Sequence, residues 1–204
     1  MLLEVCVDSS VSLRAAVAGG AGRLEVCARL DAGGLTPTDA LLAEALATTI
    51  PAFAMIRPRA GDFVYSPREL DNMRVDLARK RALGAHGFVL GLLTRAGDVD
   101  VHPLRELVAL AHPNPVTFHR AFDHAHNRLE ALEHLIECGV TRVLTSGGAA
   151  DAFQGREELR HLVERARGRN TILPRGGVRA HNAAAIVHET GVMELHSSTP
   201  FRSS

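Results

Sequence analysis

The chain has 204 residues, 23 acidic and 23 basic, and carries no net charge when its histidines are neutral. That balance excludes the electrostatic attraction that draws proteins to nucleic acid or to anionic membranes. Three cysteines are too few for a disulfide framework and no apolar run is long enough to span a membrane, so the expectation is a cytoplasmic protein with reduced thiols.

The pattern along the chain is an apolar run, a loop, a helical stretch, then another apolar run. LLEVCVD (2–8) predicts a first strand. Ser9 or Ser10 caps a helix to about Ala18, ended by Gly19-Gly20. RLEVCA (23–28) is the second strand, and Thr36-Pro37 with Asp39 opens a second helix. AFAMIRP (52–58) is the third strand. Ser66-Pro67-Arg68-Glu69 is a capping box for a helix to about Leu83. Lys80, the single lysine, falls in that helix and is expected to face solvent. A Schiff-base aldolase is therefore not expected, because that chemistry needs an amine inside the site.

GFVLGLL (87–93) is the fourth strand, with a helix near 101–111. VTFHRAF (116–122) is the fifth, with a helix from Asn127 to Cys138. RVLTSG (142–147), TILPRGG (171–177) and MELHSS (193–198) are the last three strands, with helices near 156–167 and 180–189. Eight strands alternating with helices, and no Gly-x-Gly-x-x-Gly after the first, predict one α/β domain over 1–204. Its architecture is a (β/α)8 TIM-type barrel without its final helix. The missing helix would expose apolar wall between strands eight and one. A homodimer or higher homo-oligomer is the expected remedy.

Several groups gather at strand ends. His119, Arg120 and Asp123 stand within five residues at the exit of strand five, where burial would be costly without a purpose. They either secure the turn or carry chemistry, with His119 and Asp123 or Glu25 as an acid–base pair. Leu-Glu-Val-Cys occurs at 3–6 and again at 24–27, so side-chain alternation places Glu4 with Cys6 and Glu25 with Cys27. The two thiols suit Cu(I); equally, they are small buried residues beside carboxylates held by arginines. Arg57, at the end of strand three, either holds an anion or balances Glu4 or Glu25 inside the barrel. Thr145, Gly147 and Gly148 follow strand six, Gly176 and Gly177 follow strand seven, and His196 opens the turn 196–202. These turns can cradle an anion with backbone N–H groups, or they are simply tight turns. Most of the other histidines look exposed.

LEVCVDS (3–9), LEVCA (24–28), GGLTP (33–37), MIRPRAGDFVYS (55–66), VTFHRAFD (116–123), VLTSGG (143–148) and RGGV (175–178) follow in an order that resembles the copper homeostasis protein CutC family. The resemblance covers nearly the whole chain. It implies a TIM-type barrel, usually oligomeric, cytoplasmic, and associated with copper. On this chain the implied Cu(I) ligands are Cys6 and Cys27. A second function stays open beside it: a barrel enzyme for a small anionic, perhaps phosphorylated, substrate. There Arg57 and Arg120 would hold the anion, His119 would move protons, and Glu25 or Asp123 would assist.

Overall fold

The computed structural model describes residues 1–198. Eight parallel strands alternate with helices: β1 (Leu2–Val7), β2 (Arg23–Val26), β3 (Ala52–Met55), β4 (Gly87–Leu90), β5 (Val116–Phe118), β6 (Arg142–Thr145), β7 (Thr171–Pro174) and β8 (Glu194–Ser197). Between them run α1 (Ser10–Ala18), α2 (Asp39–Leu46), α3 (Pro67–Ala82), α4 (Val101–Ala111), α5 (Arg128–Glu137), α6 (Arg156–Ala166) and α7 (Ala180–Thr190). The hydrogen-bonded order is β7-β6-β5-β4-β3-β2-β1-β8, which bends the sheet into a nearly closed barrel with its seam between β7 and β8. No helix follows β8 among the described residues. The rest of the predicted turn 196–202 lies outside them.

Local chemistry sets the helix starts. The Ser66 hydroxyl accepts from Glu69 N–H while Glu69 reaches back to Ser66, the predicted capping box. Ser9 forms a second box with Ser12, and Asn127 caps α5. The start of α2 differs from expectation: Thr38, not Thr36, accepts from Leu41 N–H, which leaves Pro37 ahead of the helix. The strands are shorter than the apolar runs because the C-terminal part of each run turns away to build the rim. His119 N-caps a 3₁₀ turn (Arg120–His124) where the fifth run was expected to stay extended.

Alternation sorts each strand into two faces. Val5, Val7, Leu24, Val26, Ala54, Phe88, Leu90, Phe118 and Val143 belong to the main apolar core, with residues of the helices such as Leu42, Met73, Leu77, Leu104, Leu132 and Leu159. Each large side chain fully buried there contributes about 1.5–3 kcal/mol relative to exposure. Cys6, Cys27, Phe53, Met55 and Val89 form a separate small cluster inside the barrel. The rest of that interior is mostly polar, with Leu144 an apolar exception.

Lys80 corrects one expectation. It is fully buried, and its Nζ donates to Pro37 O (2.6 Å) and Asp39 Oδ1 (2.5 Å), tying α3 to the start of α2. The only amine on a side chain is thus engaged between two helices, away from the strand exits. Burial of its long stem against the helix interface outweighed the polar look of LARKRALG.

Candidate functional site

The barrel interior has a floor and a mouth. On the floor, Glu4 of β1 stands in register with Arg23 of β2 and His196 of β8. Arg23 Nε donates to Glu4 Oε2 (2.5 Å), and Arg23 also donates to Glu194 (2.5 Å), which accepts from Arg142 Nε (3.0 Å). The Arg23 and Arg142 guanidinium groups both lie near the Phe53 ring, 5.2 and 5.5 Å from its centroid. Glu4 Oε1 meets His196 Nδ1 at 2.7 Å. Burial works to raise the Glu4 carboxyl, but the His196 bond and charge, with Arg23, pull it down to about 2. His196 moves the other way: burial opposes its charge, and the charges of Glu25 and Glu4 with the Glu4 bond raise it. The floor thus ties three basic side chains to two carboxylates.

The mouth lies at the C-terminal strand ends. A cavity of about 180 Å³ opens there, lined by Cys6, Glu25, Met55, His119, Arg120, Arg175 and His196 among others. Glu25 is in register with Cys6. It is 3% exposed, its Oε2 has no hydrogen-bond partner, and burial raises its carboxyl above the usual range. His119 is 2% exposed. Its Nδ1 accepts from Ala121 N–H (3.2 Å), so the ring proton sits on Nε2, which is buried and unpartnered. Burial, then the charges of Arg57 and Arg120, push its pKa down to about 3. The neutral imidazole is thus set to donate a hydrogen bond from Nε2 into the cavity. The ring fits because residue 91 is glycine: a Cβ there would lie 2.3 Å from His119 Nδ1.

Asp123 departs from its expected place as an acid–base partner of His119. Its carboxylate accepts from the Thr145 hydroxyl (2.5 Å), from Ser146 N–H (3.0 Å) and from Gly148 N–H (3.2 Å), with Arg175 at 3.5 Å. Gly147 N–H donates to Thr145 Oγ1 (2.9 Å). The cradle after β6 exists as expected, but the anion in it is the protein's own. Asp123 is therefore a fastener of the 3₁₀ turn to the β6 exit, and Thr145, Gly147 and Gly148 have no donor left for an outside anion.

Gly176 and Gly177 have positive φ (81° and 66°), and a Cβ on Gly177 would lie 3.0 Å from Asp151 Cβ. They serve a tight turn packed on the preceding loop and do not line the cavity. Arg57 departs from both of its expected roles. Its guanidinium donates to Ala32, Gly33 and Gly34 O (3.2, 3.2 and 3.1 Å) and to Gly61 O (2.9 Å), which clamps the loops after β2 and β3. Arg120 does reach the cavity: it lies against Gly33, where a Cβ would meet its NH2 at 2.1 Å, and its Nε is unpartnered. His196 lines the cavity with its Nδ1 bonded to Glu4.

Sequence reading missed Arg23, Arg142 and Glu194. The signal was present, since each lies two residues before an inward-facing neighbour (Glu25, Leu144, His196) and period-two alternation puts it inside. It also missed Gly33 and Gly91, whose only sign is the space they leave for a long-range partner.

Beside the cavity, Cys6 Sγ and Cys27 Sγ are 3.4 Å apart on neighbouring strands. Both are buried and neither is in a disulfide. The Cys27 bond, burial and the Glu25 charge push the Cys6 thiol well above its ordinary value. Met55 packs in the same cluster, so two thiols and a thioether lie together, a donor set soft enough for Cu(I). Glu4, Glu25 and His196 also bring one donor atom each within 4.8 Å of one another, but Glu4 already serves Arg23 and His196.

The sequence matches the CutC family over residues 1–200. This chain belongs to the CutC family. Among relatives, a CutC protein of Caulobacter vibrioides is 47% identical over 97% of this chain and 81% of its own length. The copper homeostasis protein cutC homolog of Mus musculus is 45% identical over 97% of this chain and 73% of its own. The crystal structure of CutC from Streptococcus agalactiae superposes with a TM-score of 0.92 at 32% identity, covering 98% of this chain and 99% of that one. The barrel is thus shared with that CutC structure, and no described helix is long and apolar enough to cross a membrane.

Proposed function

We propose that this CutC-family chain serves copper homeostasis by holding Cu(I) between Cys6 and Cys27. The observation that carries the reading is the 3.4 Å approach of two reduced, buried thiols from adjacent strands at the edge of an open cavity. Thiolates select Cu(I) over harder ions, and Met55 offers a thioether in the same cluster. Names borne by relatives support the copper role. Binding must displace a thiol proton that burial holds firmly. Affinity should therefore weaken by about tenfold per pH unit of acidification for each proton released.

Competition of Cu(I) between the protein and a chelator tests the reading. The Cys6→Ser, Cys27→Ser variant should lose more than about a hundredfold in affinity. Unchanged affinity would reject these ligands. The reading includes a cytoplasmic setting, where thiols stay reduced. It also includes a homo-oligomer that covers the β1–β8 flank, whose neighbourhood exposes Met1, Val11 and Met193. Light scattering at micromolar concentration should give more than one chain per particle; a monomer would remove the oligomer from the reading.

A further inference from the structure

The copper reading uses only one wall of the cavity and leaves its polar wall without work. Two buried polar atoms there, Glu25 Oε2 and His119 Nε2, have no partner, although a buried donor or acceptor left unpaired costs about 1–3 kcal/mol. Arg120 and Arg175 stand on the same lining. Arg175 is already near Asp123, yet its side chain is 31% exposed, and Arg120 Nε has no partner. Each group asks for something different. The arginines ask for an anion, His119 Nε2–H asks for an acceptor oxygen, and the Glu25 carboxylate asks for a hydroxyl. The cavity is below the usual size of drug-binding pockets, so the occupant has few carbons.

We propose that the barrel mouth binds a small organic anion that carries both an oxo and a hydroxyl group. Arg120 and Arg175 hold its carboxylate or phosphate, His119 donates to its carbonyl oxygen, and Glu25 accepts from its hydroxyl. His119 suits this role because the Ala121 bond keeps its proton on the cavity side. A neutral imidazole also avoids adding a third positive charge beside two arginines. The nearby cradle cannot compete for the anion, since Asp123 fills it.

The test uses the full chain, free of metal, so that its outcome does not depend on Cu(I) binding. Protein labelled with ¹⁵N-histidine is titrated with four probes: hydroxypyruvate, dihydroxyacetone phosphate, uncharged dihydroxyacetone, and inorganic phosphate. At least one of the first two should shift the His119 Nε2–H resonance saturably. It should bind at least about tenfold more tightly than dihydroxyacetone or phosphate alone. Which of the two binds better identifies the anion as carboxylate or phosphate. Arg175→Ala, at a partly exposed position, should cost about tenfold or more for the charged probe and leave dihydroxyacetone unchanged. His119→Gln should weaken the same probe less than His119→Phe does, because only Gln can still donate. The absence of any saturable shift, or equal binding of charged and uncharged probes, would overturn the proposal. So would an Arg175→Ala variant that binds the charged probe as tightly as the parent.

Discussion

The floor and the mouth of this barrel are made of the same kinds of residue and differ in how completely those residues are satisfied. Below, Glu4, Arg23, Arg142, Glu194 and His196 close on one another, with the Phe53 ring beside two guanidiniums. Above, Glu25 and His119 are as deeply buried and keep polar atoms unpartnered beside a cavity. Burial of a charged side chain is therefore no sign of function by itself. What distinguishes the mouth is donors and acceptors left open at a place a small molecule can reach.

The largest expected effect breaks the floor. Arg23→Met leaves Glu4 with His196 alone and Glu194 with Arg142 alone, and should cost about 3 kcal/mol in urea unfolding. A variant as stable as the parent would mean that the floor is held by packing and not by these ion pairs. The next tests the boundary between the two regions. Asp123→Ala empties the cradle of Ser146 and Gly148 N–H groups and should cost about 1–3 kcal/mol. Millimolar phosphate should then raise the melting temperature of the variant and leave that of the parent unmoved. Equal response of both proteins would show that Asp123 is not the cradle's anion.

The effect that is smallest per pH unit sharpens the mouth. His119 stays neutral down to about pH 3 when folded, against about 6.5 when unfolded. Its folded pKa is depressed, so protons bind the unfolded chain first, and the parent loses stability as pH falls from about 6.5 towards 3. The loss reaches at most about 1.4 kcal/mol per pH unit. His119→Gln removes this proton linkage, and its unfolding free energy should fall less steeply over the same window. Parallel slopes for the two proteins would show that His119 is not held neutral.

Alternation and turn chemistry made the barrel legible before any coordinates. Eight apolar runs, the Ser66–Glu69 box and the Asn127 cap are local signals, and each held in the structure. The strand-end placement of Glu25, His119, Arg120 and His196 on one cavity was also readable, because a barrel sends every strand exit to the same rim. Partners were less readable. Arg57 looked like an anion holder and clamps four carbonyls. Asp123 looked like an acid–base partner of His119 and fills the cradle that Thr145, Gly147 and Gly148 were expected to offer a ligand. Lys80 looked solvated and is buried.

By itself, then, the order of residues determined which segments become strands, which face of each turns inward, and therefore which side chains reach the rim. These follow from periodicity and capping, which act within a few neighbouring residues. Only the closed barrel decided which of those side chains satisfy one another and which stay open. Hydrogen-bond capacity is used up by groups as far apart as Glu4 and His196, or Asp123 and Gly148, and no local pattern records that pairing.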